Sequence, residues 1–136
     1  MSMVKPMNIF DISGRAMSAQ LVRLNATASN MANAGSISGS EKTAYRAIRP
    51  VFTPVTQSPG VATVAVQRIV SSDTPATKRH EPGHPLADAN GDVWEAGVDS
   101  SAELVDMVEA SRAYQNNVQV LQTAKTLMLE TLRIGK

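Results

Sequence analysis

His80 and His84 are the only imidazoles in the chain, and they stand four residues apart, the separation that sets two zinc ligands on one helical face. Pro82 and Pro85 exclude that helix, so both histidines read as turn residues. Asp88, Asn90 and Asp92 alternate like the first oxygen ligands of a calcium loop. Val93 follows where such a loop needs Gly, and Asp99 occupies the twelfth position in place of a bidentate Glu, so an Asx-rich turn is the better reading. Asp11 and Ser13 read as helix caps. There is no G-x-S-x-G, no P-loop and no G-x-G-x-x-G. Without cysteine, and with both histidines in a proline-rich segment, nucleophile–base chemistry has little to work with. Five aromatics are too few to line the deep cleft that a glycosidase carboxylate pair needs. The expectation is a protein without catalytic residues, cofactor or metal.

The 136 residues suit one domain, 43% of them hydrophobic and 18% charged. More than half of the hydrophobic residues are Ala or Val, which bury little area each, so a large self-sufficient core is not expected. The longest largely apolar run, Val61–Val66, is far short of the roughly 20 residues that span a bilayer. Met1–Phe10 hold one Lys but neither an apolar h-region nor an A-x-A site, so a cleaved secretory signal is not expected. A net charge of +1 argues against a nucleic-acid binder. Residues 35–71 nevertheless carry Lys42, Arg46, Arg49 and Arg68 against Glu41, while residues 72–99 carry six acids against Lys78 and Arg79. Such opposite charge suggests pairing within the middle region or between neighbouring copies.

The elements follow from proline. Six of the seven prolines fall between residues 50 and 85, with helix-permissive stretches on either side. Three parts result: a helix within residues 1–34, a β-rich middle over 35–99 and a helix over 100–136. In the first, Phe10, Met17, Leu24 and Met31 recur every seven residues, with Gly14, Leu21 and Ala28 four after the first three. That 4-3 spacing predicts a coiled-coil-like seam on a helix from about Ile12 to Ala34, stopped by Gly35. In the last, Ser100 and Glu103 fit a capping box, and the helix runs to Ile134. One seam comprises Leu104, Met107, Tyr114, Val118, Leu121, Met128 and Leu132; a second stripe comprises Ala113, Val120, Ala124, Leu127 and Ile134. One partner helix covers one seam, so the second stripe is assigned to another subunit, and the ends are expected to be weakly ordered until neighbours pack on them. The middle predicts edge strands at Val51-Phe52 and Val55, a strand over Val61–Val70 broken at Arg68, and a two-residue hairpin at Asn90-Gly91. The fold class is α+β: long N- and C-terminal helices packed as a coiled-coil-like pair, with a small proline-rich β middle.

Two further strings carry a resemblance. Ala28-Ser29-Asn30-Met31-Ala32-Asn33-Ala34, with Asn25 before it, resembles the A-N-N-L-A-N-A signature of bacterial flagellar axial proteins, with Ser29 and Met31 as departures. Met107, Ala110, Arg112, Tyr114, Asn117 and Val118 fall on the C-terminal M-x-x-A-x-R-x-Y-x-A-N-V pattern, with Asn116 departing from Ala. Ala44-Tyr45-Arg46-Ala47 and Glu81-Pro82-Gly83-His84-Pro85-Leu86-Ala87-Asp88 look like the proximal-rod type, the FlgC family. The resemblance implies a structural, non-enzymatic subunit of the basal-body rod that polymerises with itself and with other rod proteins. It also implies passage through the flagellar type III export apparatus without a cleaved signal, and a periplasmic drive shaft whose inner helices continue the export channel. Assembly is then assigned to Met17, Leu21, Leu24, Asn25, Ala28, Asn30, Met31 and Asn33 on the first helix. On the second it is assigned to Met107, Arg112, Tyr114, Asn117, Val118, Leu121, Leu127, Met128 and Leu132. The asparagines offer amides to backbone groups of the adjoining loop or of a neighbour. Another rod or hook-base axial protein, or a soluble helical adaptor, is the alternative.

Overall fold

The computed structural model describes residues 8–136. The expectation of no cleaved signal in Met1–Phe10 therefore falls largely outside the described residues. A 25-residue helix, α1 (Ile9–Asn33), is followed by strands β1 (Ile37–Ser38), β2 (Ile48–Ser58), β3 (Val61–Ser71), β4 (Thr77–His80) and β5 (Asp92–Glu95), then by a 35-residue helix, α2 (Ser100–Ile134).

Both helix starts differ from expectation by a local competition between caps. Asn8, not Asp11 or Ser13, caps α1: its side chain accepts from the Asp11 N–H at 2.9 Å, and Asp11 accepts from the Asn8 N–H at 3.2 Å. The helix thus begins at Ile9 and Ser13 is buried in it. It ends at Asn33, where the Ser36 N–H and hydroxyl both donate to the Asn33 carbonyl. Asp99, not Ser100, caps α2 by accepting from the Ser101 and Ala102 N–H groups at 2.9 and 3.2 Å. A carboxylate at the cap also opposes the helix dipole, and it leaves Glu103 free for other work.

β2 and β3 form an antiparallel ribbon turned by Pro59-Gly60, with Gly60 at φ +81°. Val51 pairs with Arg68 but Phe52 with Val66, so Gln67 is the extra residue of a bulge, which explains why the alternation fails at Arg68. The other strands make a three-stranded antiparallel sheet in the order β1-β5-β4. The Asn90-Gly91 hairpin is corrected here: β4 and β5 are joined by residues 81–91, and Asn90-Gly91 closes a smaller turn inside that connection. The Gly91 N–H donates to the Asp88 carbonyl at 3.0 Å, and the Asp88 carboxylate accepts from the Asn90 and Asp92 N–H groups at 2.8 and 2.9 Å. Gly91 sits at φ +78° with the Pro82 ring where a Cβ would point, so the residue is needed although the hairpin is not there.

α1 and α2 run antiparallel. Asn30 meets Glu103, Arg23 meets Asp106, and Ile9 borders Val120 and Leu127. The β2–β3 ribbon packs on α1 as well, with the Thr63 hydroxyl donating to the Ile12 carbonyl at 3.3 Å. Among the described residues the buried hydrophobics are Val93 and seven alanines, including Ala19, Ala26 and Ala110 in the helices. The core is as lean as the composition implies.

Candidate functional site

Where α1, β2 and α2 meet, polar side chains do the joining. Asn30 is fully buried, and its amide is saturated. Its oxygen accepts from the Ile48 N–H at 2.8 Å and the Tyr45 hydroxyl at 2.9 Å; its nitrogen donates to the Ile48 carbonyl at 3.0 Å and to Glu103 Oε2 at 3.1 Å. The amide thus pairs with both backbone groups of Ile48 as a neighbouring strand would, and anchors the start of β2 on the helix. Glu103, fully buried, also receives both guanidinium nitrogens of Arg49, whose other contact is Asp106 at 2.6 Å. Asp106 in turn holds Arg23 at 2.9 Å. A buried carboxylate is tolerable because each of its oxygens has a donor and its charge has a partner.

Asn33 donates to the Ser29 carbonyl at 2.8 Å, whereas Asn25 is exposed. Asn30 thus bonds backbone groups of the segment that follows α1, Asn33 bonds a carbonyl of its own helix, and Asn25 faces solvent. The sequence assigns none of Glu103, Arg49, Tyr45, Arg23 and Asp106 to a site, although Tyr45 stands in one of the strings that carry the resemblance. The positive excess of residues 35–71 was the one signal for Arg49, and Glu103 was hidden by its apparent role in a capping box.

The helix seam is rotated from the predicted one. On α1 the buried positions are Ser13, Ala19, Ala26, Thr27 and Asn30; Met17, Leu24 and Met31 flank them half-buried, while Leu21 and Ala28 are exposed. On α2 Glu103 and Ala110 are buried; Met107, Tyr114, Asn117 and Leu121 extend their 4-3 spacing half-buried, as are Asp106, Ser111, Ala113, Val118 and Ala124, so the second stripe is turned partly into the molecule at Ala113 and Ala124. Small residues win the centre of the contact because α1 is covered by α2 on one side and by the ribbon on another, and close approach leaves no room for Leu or Met. Arg112, Leu127, Met128 and Leu132 are exposed. Leu127 helps line, with Ile9, Asn116, Val120 and Ala124, an open groove of about 680 Å³ at the described start of α1. Past that point α2 continues to Ile134 with Met128, Leu129, Leu132 and Ile134 all more than half exposed, on several sides of the helix. No described helix is long and apolar enough to cross a membrane.

In the middle region, Asp92 accepts from Lys78 at 2.6 Å and lies 2.9 Å from His80 Nδ1. The Lys78 ammonium, and secondarily His80, hold the Asp92 carboxyl below its ordinary range, and Asp92 holds Lys78 above its own. The Asp88 carboxylate is turned onto backbone N–H groups. These acids serve a turn and an ion pair.

Comparison with known proteins agrees with this geometry. Residues 10–35 match the family described as flagella basal body rod protein, and residues 89–134 match flagellar basal body rod FlgEFG protein C-terminal. Flagellar basal-body rod protein FlgC of Salmonella typhimurium is 48% identical over 96% of this chain and 98% of its own length. The Yersinia enterocolitica protein of that name is 49% identical over the same shares. The chain belongs to the FlgC family. Within it, the family's N-terminal signature is seen to supply Asn30, the buried anchor of β2, and its C-terminal pattern supplies Ala110, Tyr114 and Asn117 to the contact between the helices. Flagellar basal-body rod protein FlgC of Buchnera aphidicola subsp. Acyrthosiphon pisum, at 34% identity, still aligns over 96% of the chain.

Proposed function

We propose that the chain is a structural, non-enzymatic subunit of the flagellar basal-body rod, polymerising with itself and with other rod proteins through surfaces left open on its helix pair. Family membership supports the rod role, and one observation supports the mode: α2 outruns α1. At 1.5 Å per residue the helices measure roughly 37 and 52 Å, so among the described residues α2 ends in an overhang past the start of α1. Leu127, Met128, Leu129 and Leu132 there are 58%, 54%, 52% and 62% exposed. A helix apolar on several sides is stable in water when something packs around it. Leu104, Val105 and Val108 form a second exposed apolar patch near the other end of α2. Leu21, Asn25 and Ala28 on α1, and Arg112 on α2, are further assembly positions in this reading. Met17, Leu24, Met31 and Met107, half-buried, adapt to contacts that vary between neighbours. The subunit leaves the cell interior through the flagellar type III apparatus, joins the axis in the periplasm, continues the export channel and transmits torque.

The test is Leu127→Asp with Leu132→Asp, both clear of the buried seam. The variant is expected to keep the helicity of the parent by circular dichroism while failing to enter basal bodies and abolishing swimming. Thr126→Asp, one residue away, serves as control. Normal motility of the double variant would refute the role given to the overhang.

A further inference from the structure

The large and small apolar side chains of the contact between the helices discriminate poorly between registers. Ala19 and Ala26 are seven residues apart on α1, and on α2 Met107, Tyr114 and Leu121 repeat at the same interval. Sliding α2 by one heptad exchanges one alanine for another and one large apolar side chain for the next. Apolar burial alone therefore leaves the pair close to degenerate. The polar groups of the contact are not interchangeable: Arg23 holds Asp106 at 2.9 Å and Glu109 at 3.3 Å from part-exposed positions, and Glu103 lies deeper. Glu103 is fully buried, and its donors come from two other elements: Asn30 on α1 and Arg49 on β2. A slip of seven residues displaces it by about 10 Å. The carboxylate is then left in the interior without those donors, a heavy desolvation cost, and Asn30 loses a partner it cannot replace.

We propose that the Asn30–Arg49–Glu103 cluster is a register lock, which selects one axial alignment of α1 and α2 rather than supplying most of their attraction. Arg49 lies next to Ile48, whose two backbone groups Asn30 holds. Laying down β2 is thus the step that completes the lock, and the terminal helices are aligned through the middle of the chain. The lock also fixes how far α2 projects past α1. If the overhang is the assembly surface, as the proposed function has it, one alignment gives every subunit an overhang of one length. That consequence rests on the assembly reading; the lock does not.

The cysteine-free chain allows a direct test. Spin labels at Ala32→Cys and Gln122→Cys, both exposed and separated along the helix pair, report the register through their distance by double electron–electron resonance. The parent is expected to give one narrow distance. Arg49→Met with Glu103→Met removes the ion pair and keeps apolar volume, while Asn30 keeps Ile48 and Tyr45. This variant is expected to retain its helical circular dichroism and to gain a second population displaced by about 10 Å. A single unchanged distance in the double variant would overturn the proposal. So would loss of the helix pair, which would make the cluster a source of stability, and so would a broad distribution in the parent. A double variant that gains the second distance and still enters basal bodies counts against the overhang alone.

Discussion

Two asparagines of one signature, five residues apart, are in opposite situations. Asn30→Ala strands the Ile48 N–H and carbonyl and takes one donor from Glu103, while the Tyr45 hydroxyl keeps the Ser29 hydroxyl at 3.2 Å. Buried groups left unpaired cost about 1–3 kcal/mol each, so a loss of about 3–5 kcal/mol is expected in urea unfolding. Asn25→Ala, on the exposed face, is expected to stay within about 0.5 kcal/mol. Equal losses would remove the distinction. The Lys78–Asp92 pair makes a second residue-level case, in pH. Asp92 is depressed in the fold, so its contribution is present above the ordinary Asp range and is lost as pH falls through its lowered value. Lys78 is raised, so its contribution is present below the ordinary Lys value and is lost as pH rises through the raised one. Stability is expected to be level from about pH 5 to 9 and to decline on both sides. In Lys78→Ala the carboxyl titration of Asp92, followed by NMR, is expected to move up toward the ordinary value. An unmoved titration would show that Lys78 is not its cause.

At the scale of elements, the ends of α2 differ in what holds them. The first part of α2 is pinned by Asp99 at its cap and by Glu103 and Asp106 in the junction, whereas the overhang past Leu127 is exposed. Trypsin is expected to cut first after Arg133 and Lys125, both exposed, and to cut after Arg23, salt-bridged to α2, more slowly. Early cleavage at Arg23 would show that the helix pair itself opens. Element type was legible from residues here: proline placement marked the β middle, and 4-3 spacing marked the helices. The rotation of the seam was not legible, because periodicity counts Leu and Met as the strongest core signals, while two-sided packing on α1 selects Ala19 and Ala26. Cap identity was ambiguous for a related reason. Asp99, Ser100 and Ser101 are all good caps, and the choice depends on Glu103 being drawn inward by Arg49, a contact 54 residues distant in sequence.

In the whole molecule, three segments of the chain become one body through a handful of polar atoms, with alanine filling what remains. The lean composition anticipated the alanine core, and the signature motifs identified the family. The junction was out of reach of either, since neither spacing nor composition brings Asn30, Arg49 and Glu103 together. The alanine core has a thermodynamic corollary. With alanine as its main buried residue, unfolding is expected to expose little apolar surface per residue and to give a heat-capacity increment below the roughly 12–15 cal/mol/K per residue of ordinary domains. The stability curve is then expected to be flat with temperature, with the free energy of the folded subunit changing little between a cold and a warm environment.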